Sequence, residues 1–98
     1  MSLTVVLRRQ ARREFDEAAD WYEQQRAGLG ARFTAAVQQV FDEIAANPQR
    51  YAEVHRDVRE GLVKGFPYCV YYREQSAQIV ILAVFHTSRD PSVWQARA

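Results

Sequence analysis

Apolar residues between Gln10 and Glu23 recur at helical spacing. Ala11, Phe15, Ala18 and Tyr22 follow one another at steps of four, three and four, one stripe of an amphipathic helix. Arg13, Asp16, Glu17, Asp20 and Glu23 occupy the opposite, solvated face, with Arg13 and Glu17 four residues apart. A second stripe of Phe33, Val37, Val40 and Ile44, flanked by Leu29, Ala36 and Phe41, predicts another helix. Asn47-Pro48 ends it, because the residue before a proline is disfavoured in the α region. The break between the two, Arg26-Ala27-Gly28-Leu29-Gly30, is short and glycine-containing, so the helices should lie antiparallel as a helical hairpin.

Elsewhere the pattern is that of strands. Leu3 to Leu7 is short and β-rich, and Val58 to Phe66 is a basic strand whose Gly61 and Gly65 suggest a bulge or a close backbone approach. Tyr68 to Arg73 and Ile79 to Phe85 flank the polar stretch Glu74 to Gln78 and read as an antiparallel hairpin. The last run is apolar on both faces, which places it centrally in the sheet and under the helices. Gln49 to Val54 reads as a loop, and Pro91 to Ala98 as a tail whose Trp94 needs a place to dock. The order β-α-α-β-β-β predicts an α+β fold, a small, twisted, mainly antiparallel sheet packed on the helical hairpin. Phe15, Ala18, Tyr22, Phe33, Val37, Val40, Ile44, Leu62, Val70, Tyr72, Ile81 and Ala83 are its expected core. Which strand face meets the helices stays open, since a slip of one residue reverses every side chain.

Composition narrows the class. With 98 residues, 48% hydrophobic and 26% charged, residues 1–98 form one globular domain. The net charge of +1 conceals a bias in type, since the 13 basic residues are all Arg except Lys64. Arg is the planar, permanently charged binder of phosphates and carboxylates. The single cysteine, Cys69, cannot form an internal disulfide and reads as a small buried hydrophobe. Leu3 to Leu7 is followed at once by Arg8 and Arg9, unlike a signal peptide, and the longest apolar run is too short to span a bilayer. A soluble, cytoplasmic protein without a membrane partner is expected. No Cys-x-x-Cys, His-x-x-x-His or phosphate-cradling glycine loop occurs, so neither metal nor cofactor is expected.

Several segments in order carry a resemblance: Ala19-Asp20-Trp21-Tyr22-Glu23, Gly28-Leu29-Gly30 with Phe33, and Ile44-Ala45-Ala46-Asn47-Pro48-Gln49-Arg50-Tyr51. Arg59, Phe66-Pro67-Tyr68, Tyr71-Tyr72-Arg73 and His86-Thr87-Ser88-Arg89-Asp90-Pro91 continue it. The chain resembles the ParE/RelE superfamily of type II toxin–antitoxin toxins, and its ParE branch more closely. The resemblance implies a growth-inhibiting toxin held inactive by a cognate, ParD-like antitoxin encoded beside it, in a hetero-oligomer. Its target would be DNA gyrase in ParE-like members, or mRNA in the ribosome in RelE-like members. A protein of the same fold that has lost toxicity and serves as an interaction module is a third expectation.

The candidate site residues follow. A His can act as a general acid or base in phosphodiester cleavage, and His86 has Arg59, Arg73 and Arg89 as possible cations around a phosphate. The competing reading makes His86 a cap on the sheet, bonded to Asp90 or to a backbone group. Trp21, Phe41 and Tyr51, with Arg59, Arg73 and Arg89, are the expected partner-binding residues, because large exposed aromatics and Arg mark partner surfaces. Trp21 and Tyr22 are adjacent, so a buried Tyr22 leaves Trp21 on the exposed flank. The basic run Arg8, Arg9, Arg12 and Arg13 is followed by Glu14, Asp16 and Glu17 and reads as a solvated face. Sequence-specific DNA binding by the chain itself is not expected.

Overall fold

In the computed structural model, which describes residues 2–98, two long helices lie across one face of a five-stranded sheet. The elements are β1 (Thr4–Leu7), α1 (Arg9–Gln25), α2 (Leu29–Ala46), β2 (Glu53–His55), β3 (Val58–Leu62), β4 (Tyr68–Gln75), β5 (Gln78–His86) and α3 (Ser92–Gln95). The strands run in the order β1-β5-β4-β3-β2. β1 is parallel to β5 and the other pairings are antiparallel. The β-α-α-β-β-β frame holds, with β5 interior as its two apolar faces require.

Two short elements add to that frame. β2 forms in the stretch read as a loop, and α3 forms in the stretch read as a tail. β3 stops at Leu62 rather than Phe66, and a turn around Gly65 returns the chain to β4. At Gly61 the close approach is real. A methyl group there would lie 3.0 Å from Val40 Cγ1 and 3.2 Å from the Tyr51 ring, so α2 packs on bare backbone at that point. The connection between α1 and α2 passes through Gly28 at φ +89°, a conformation that favours glycine. The Glu23 carboxylate accepts the Gly28 and Gly30 N–H groups at 3.0–3.1 Å, satisfying donors at the start of α2.

The core is split by the sheet. On the inner face Ala11, Phe15, Phe33, Val37, Val40 and Ile44 of the helices pack on Val70, Tyr72, Ile79, Ile81 and Val84. Phe15 meets Phe33 and Phe41 edge to face, with ring centroids 6.1 and 5.8 Å apart. The buried Tyr72 hydroxyl donates to the Pro48 carbonyl at 2.9 Å. A smaller cluster of Val58, Cys69, Tyr71, Leu82, Ala83, Phe85 and Trp94 lies on the outer face.

Three expected core positions differ. Ala83 faces outward because β5 bulges. Tyr71 opposes Ala83 while Tyr72 opposes Ile81, leaving Leu82 as an extra residue that switches the parity of everything after it. Leu62, at the end of β3, is 64% exposed, and Val63 is buried in its place. Tyr22 is only partly buried at the rim of the inner core.

Candidate partner-binding groove

The C-terminal half of α1 and the end of β5 border a groove. One part, of about 250 Å³, is lined by Glu14, Glu17, Ala18, Trp21, Tyr68, Val84, His86 and Arg89. The adjoining part, of about 410 Å³, is lined by Trp21, Tyr22, Pro67, Tyr68 and His86. Trp21, Tyr68 and His86 belong to both, so the two form one channel walled by aromatic rings and ended by a guanidinium.

Each wall has a local cause. Tyr22 turns toward the core edge, where its ring lies 4.9 Å from Phe66 and 5.1 Å from Phe33. Its neighbour Trp21 therefore points out of the stripe and is 56% exposed, stacked edge-on against Tyr22 at 5.1 Å. Tyr68 opposes His86 in the hairpin register, and their rings meet edge to face at 5.1 Å. Partial burial raises the Tyr68 hydroxyl above its ordinary pKa, so it stays protonated near neutrality.

His86 is held by the turn that follows it. Its Nδ1 accepts the Ser88 backbone N–H at 3.0 Å and lies 2.8 Å from Ser88 Oγ. An accepting Nδ1 carries no proton, so the neutral ring carries its proton on Nε2. Of the two partners expected for His86, Asp90 or a backbone group, the structure has the backbone group, the Ser88 N–H. Asp90 instead accepts the Ser92 N–H at 3.0 Å, and that bond lowers its pKa.

Arg89 is clamped at the groove's end. Its Nη1 lies 2.9 Å from Glu14 Oε2, and its guanidinium sits 4.2 Å over the Phe85 ring. Arg97 forms a two-point pair with the same carboxylate, at 2.9 Å for each nitrogen.

The expected cations do not converge. Arg59 donates to the Tyr51 carbonyl at 2.6 Å and to Glu53 at 3.3 Å, beside a second hollow lined in part by Tyr51, Glu43, Arg50 and Lys64. The Tyr51 hydroxyl donates to Glu43 at 2.8 Å. Arg73 pairs with Asp57 at 2.9 Å and donates to the Ala98 carbonyl at 3.2 Å. Arg59 opposes Tyr72, and Arg73 follows Tyr72 on β4, so the two point to opposite faces of the sheet. Of the four candidate catalytic residues, His86 and Arg89 share a site, and Arg59 and Arg73 lie elsewhere. Phe41 is corrected outright: it is 3% exposed, packed on Phe15 inside the core, and presents no surface to a partner.

Sequence reasoning missed Glu14, Glu17, Tyr68 and Pro67 as groove residues. Glu14 carried a usable signal. It lies three residues after Ala11 and four before Ala18, an acid at the edge of an otherwise apolar stripe. Among the described residues, no three His, Cys, Asp or Glu side chains gather as a metal site requires. Among the described residues, no helix is long and apolar enough to cross a membrane.

The class the fold defines is an α+β domain, a small sheet carrying a helical hairpin on one face with an aromatic groove at its border. The model of the ParE toxin of type II toxin–antitoxin systems (parDE) matches residues 5–91, and the chain belongs to this family. Its fold is also that of a chain from the solved chromosomal ParDE toxin–antitoxin system of P. aeruginosa. That likeness has a TM-score of 0.77 at 14% identity and covers 89% of this chain and 98% of the other. A search of curated protein sequences gives no match.

Proposed function

We propose that this chain is a growth-inhibiting toxin that acts by binding DNA gyrase and is neutralised by a cognate, ParD-like antitoxin. Membership of the ParE toxin family supports the first half of that reading. The observation that carries the second half is the dispersal of the cations. Arg59, Arg73 and the His86–Arg89 pair occupy separate places, each held by its own protein partner. Cleaving a phosphodiester needs an acid, a base and charge stabilisation around one phosphate, within hydrogen-bond reach. An aromatic groove with an exposed Trp and a clamped Arg suits recognition instead, since Trp, Tyr and Arg dominate binding energy at protein interfaces.

In this reading Trp21 and Arg89 anchor a partner in the groove, while Tyr51 and Arg59 offer a second contact. Toxicity and antitoxin binding, measured on His86→Ala and Trp21→Ala, test it. His86→Ala should leave growth inhibition largely intact. Trp21→Ala should weaken partner binding by roughly tenfold or more, the loss typical of a central aromatic anchor. Loss of toxicity in a folded His86→Ala protein, with mRNA cleavage by the unaltered chain, would instead establish a ribosome-dependent endonuclease. Harmless expression of the unaltered chain in the absence of antitoxin would indicate an interaction module.

A further inference from the structure

β5 has nine residues and β1 only four, and their parallel pairing ends where Leu7 opposes Ile81. The Arg8 N–H reaches the Ile81 carbonyl at 3.1 Å, and the chain then turns into α1. From Leu82 onward β5 has β4 on one side and, among the described residues, no strand on the other. An open edge of this kind is a template on which another chain can pair.

Side chains occupy the vacant positions. The Val84 N–H donates to Glu14 Oε1 at 3.1 Å, and the Leu82 carbonyl accepts from Arg97 Nη1 at 3.1 Å. Glu14 and Arg97 are joined by their two-point pair, and their side chains are only 13% and 12% exposed. In a parallel ladder, the residue opposite Ala83 would donate its N–H to the Leu82 carbonyl and accept the Val84 N–H. The carboxylate and the guanidinium supply that acceptor and that donor. Arg97 is held in turn through its own carbonyl, which accepts from Arg8 Nη1 at 3.0 Å.

We infer that the Glu14–Arg97 pair is a side-chain substitute for the strand residue that β1 lacks, and that it closes the β5 edge against pairing with a second copy of this chain. The two residues lie at opposite ends of the sequence. The C-terminal segment is therefore a working part of the sheet and not an appendage.

Amide hydrogen exchange, read residue by residue in the folded chain, tests this together with sedimentation over a range of concentrations. Val84 should be protected to within about tenfold of Ala83, whose N–H faces β4, and the chain should sediment as a monomer. Glu14→Ala should cut Val84 protection by about tenfold or more, as loss of a charge-assisted hydrogen bond implies. It should also make the sedimenting mass rise with concentration. Glu14→Gln keeps an acceptor oxygen and should lose less on both readouts. If Glu14→Ala fails to fold, the unaltered chain and Glu14→Gln decide the matter. Free exchange of Val84 in the folded unaltered chain overturns the inference. So does a folded Glu14→Ala variant that keeps Val84 protected or stays monomeric at every concentration.

Discussion

The inner face of the sheet is buried by two long helices mainly through apolar side chains, from Ala11 and Phe15 on α1 to Ile44 on α2, with the Tyr72 hydroxyl bonded to the Pro48 carbonyl. The outer face carries a smaller cluster that the C-terminal segment covers through Trp94 and Ala98, and charged groups pin that cover down. Arg8 and Arg73 donate to the carbonyls of Arg97 and Ala98, and Arg97 binds Glu14 and the Leu82 carbonyl. Trp94 stacks on Tyr71 at 3.9 Å with the rings nearly parallel, yet its buried Nε1 has no hydrogen-bond partner among the described residues. A buried, unpaired N–H costs free energy that an apolar contact does not. The inner face therefore rests mainly on area removed from water, and the cover of the outer face on a few directional bonds that hold a short segment in place.

That difference predicts unequal responses to truncation. Phe33 has no exposed surface and contacts both helix and sheet aromatics, so Phe33→Ala should cost about 3–5 kcal/mol in thermal unfolding. Trp94 is the larger ring, but its cluster is small and its N–H is already unpaired. Trp94→Ala should cost less, about 2–3 kcal/mol. Equal losses from the two substitutions would break the comparison.

Cys69 gives the mildest probe. Burial, with the nearby Glu60 carboxylate adding to it, pushes its thiol up to about 12. The thiolate is the reactive form, so alkylation of the folded chain at pH 8 should be far slower than in denaturant. Trp94→Ala should speed it by loosening the cover. The folded value lies above the unfolded one of about 8.5. The neutral thiol therefore stabilises the fold fully below that pH, and the contribution fades as pH climbs from there toward 12.

How much of this was legible in the chain divides along the same line. The helical stripes announced the inner core, because spacing along a helix maps directly onto one face. Phe41 escaped because α2 is buried over a wider arc than its main stripe, so a residue beside the stripe lies as deep as one within it. Ala83 lies on the face opposite to Ile81 because a bulge changes parity without any mark in composition. β2 and α3 are too short for periodicity to register. In the groove, Trp21, His86 and Arg89 were visible as chemistry. The Glu14–Arg97 pair beside it was not, since the two lie 83 residues apart in sequence and their meeting depends on where β1 stops.

The proposed function turns on what fails first when the chain acts alone. Pulse-labelling of DNA and protein synthesis in the first minutes after inducing this chain in a bacterium measures that directly. A binder of gyrase should halt DNA synthesis first, with DNA breaks, and His86→Ala should do the same. Translation falling first, and sparing of translation by His86→Ala, would contradict the account and place the groove in the service of mRNA cleavage.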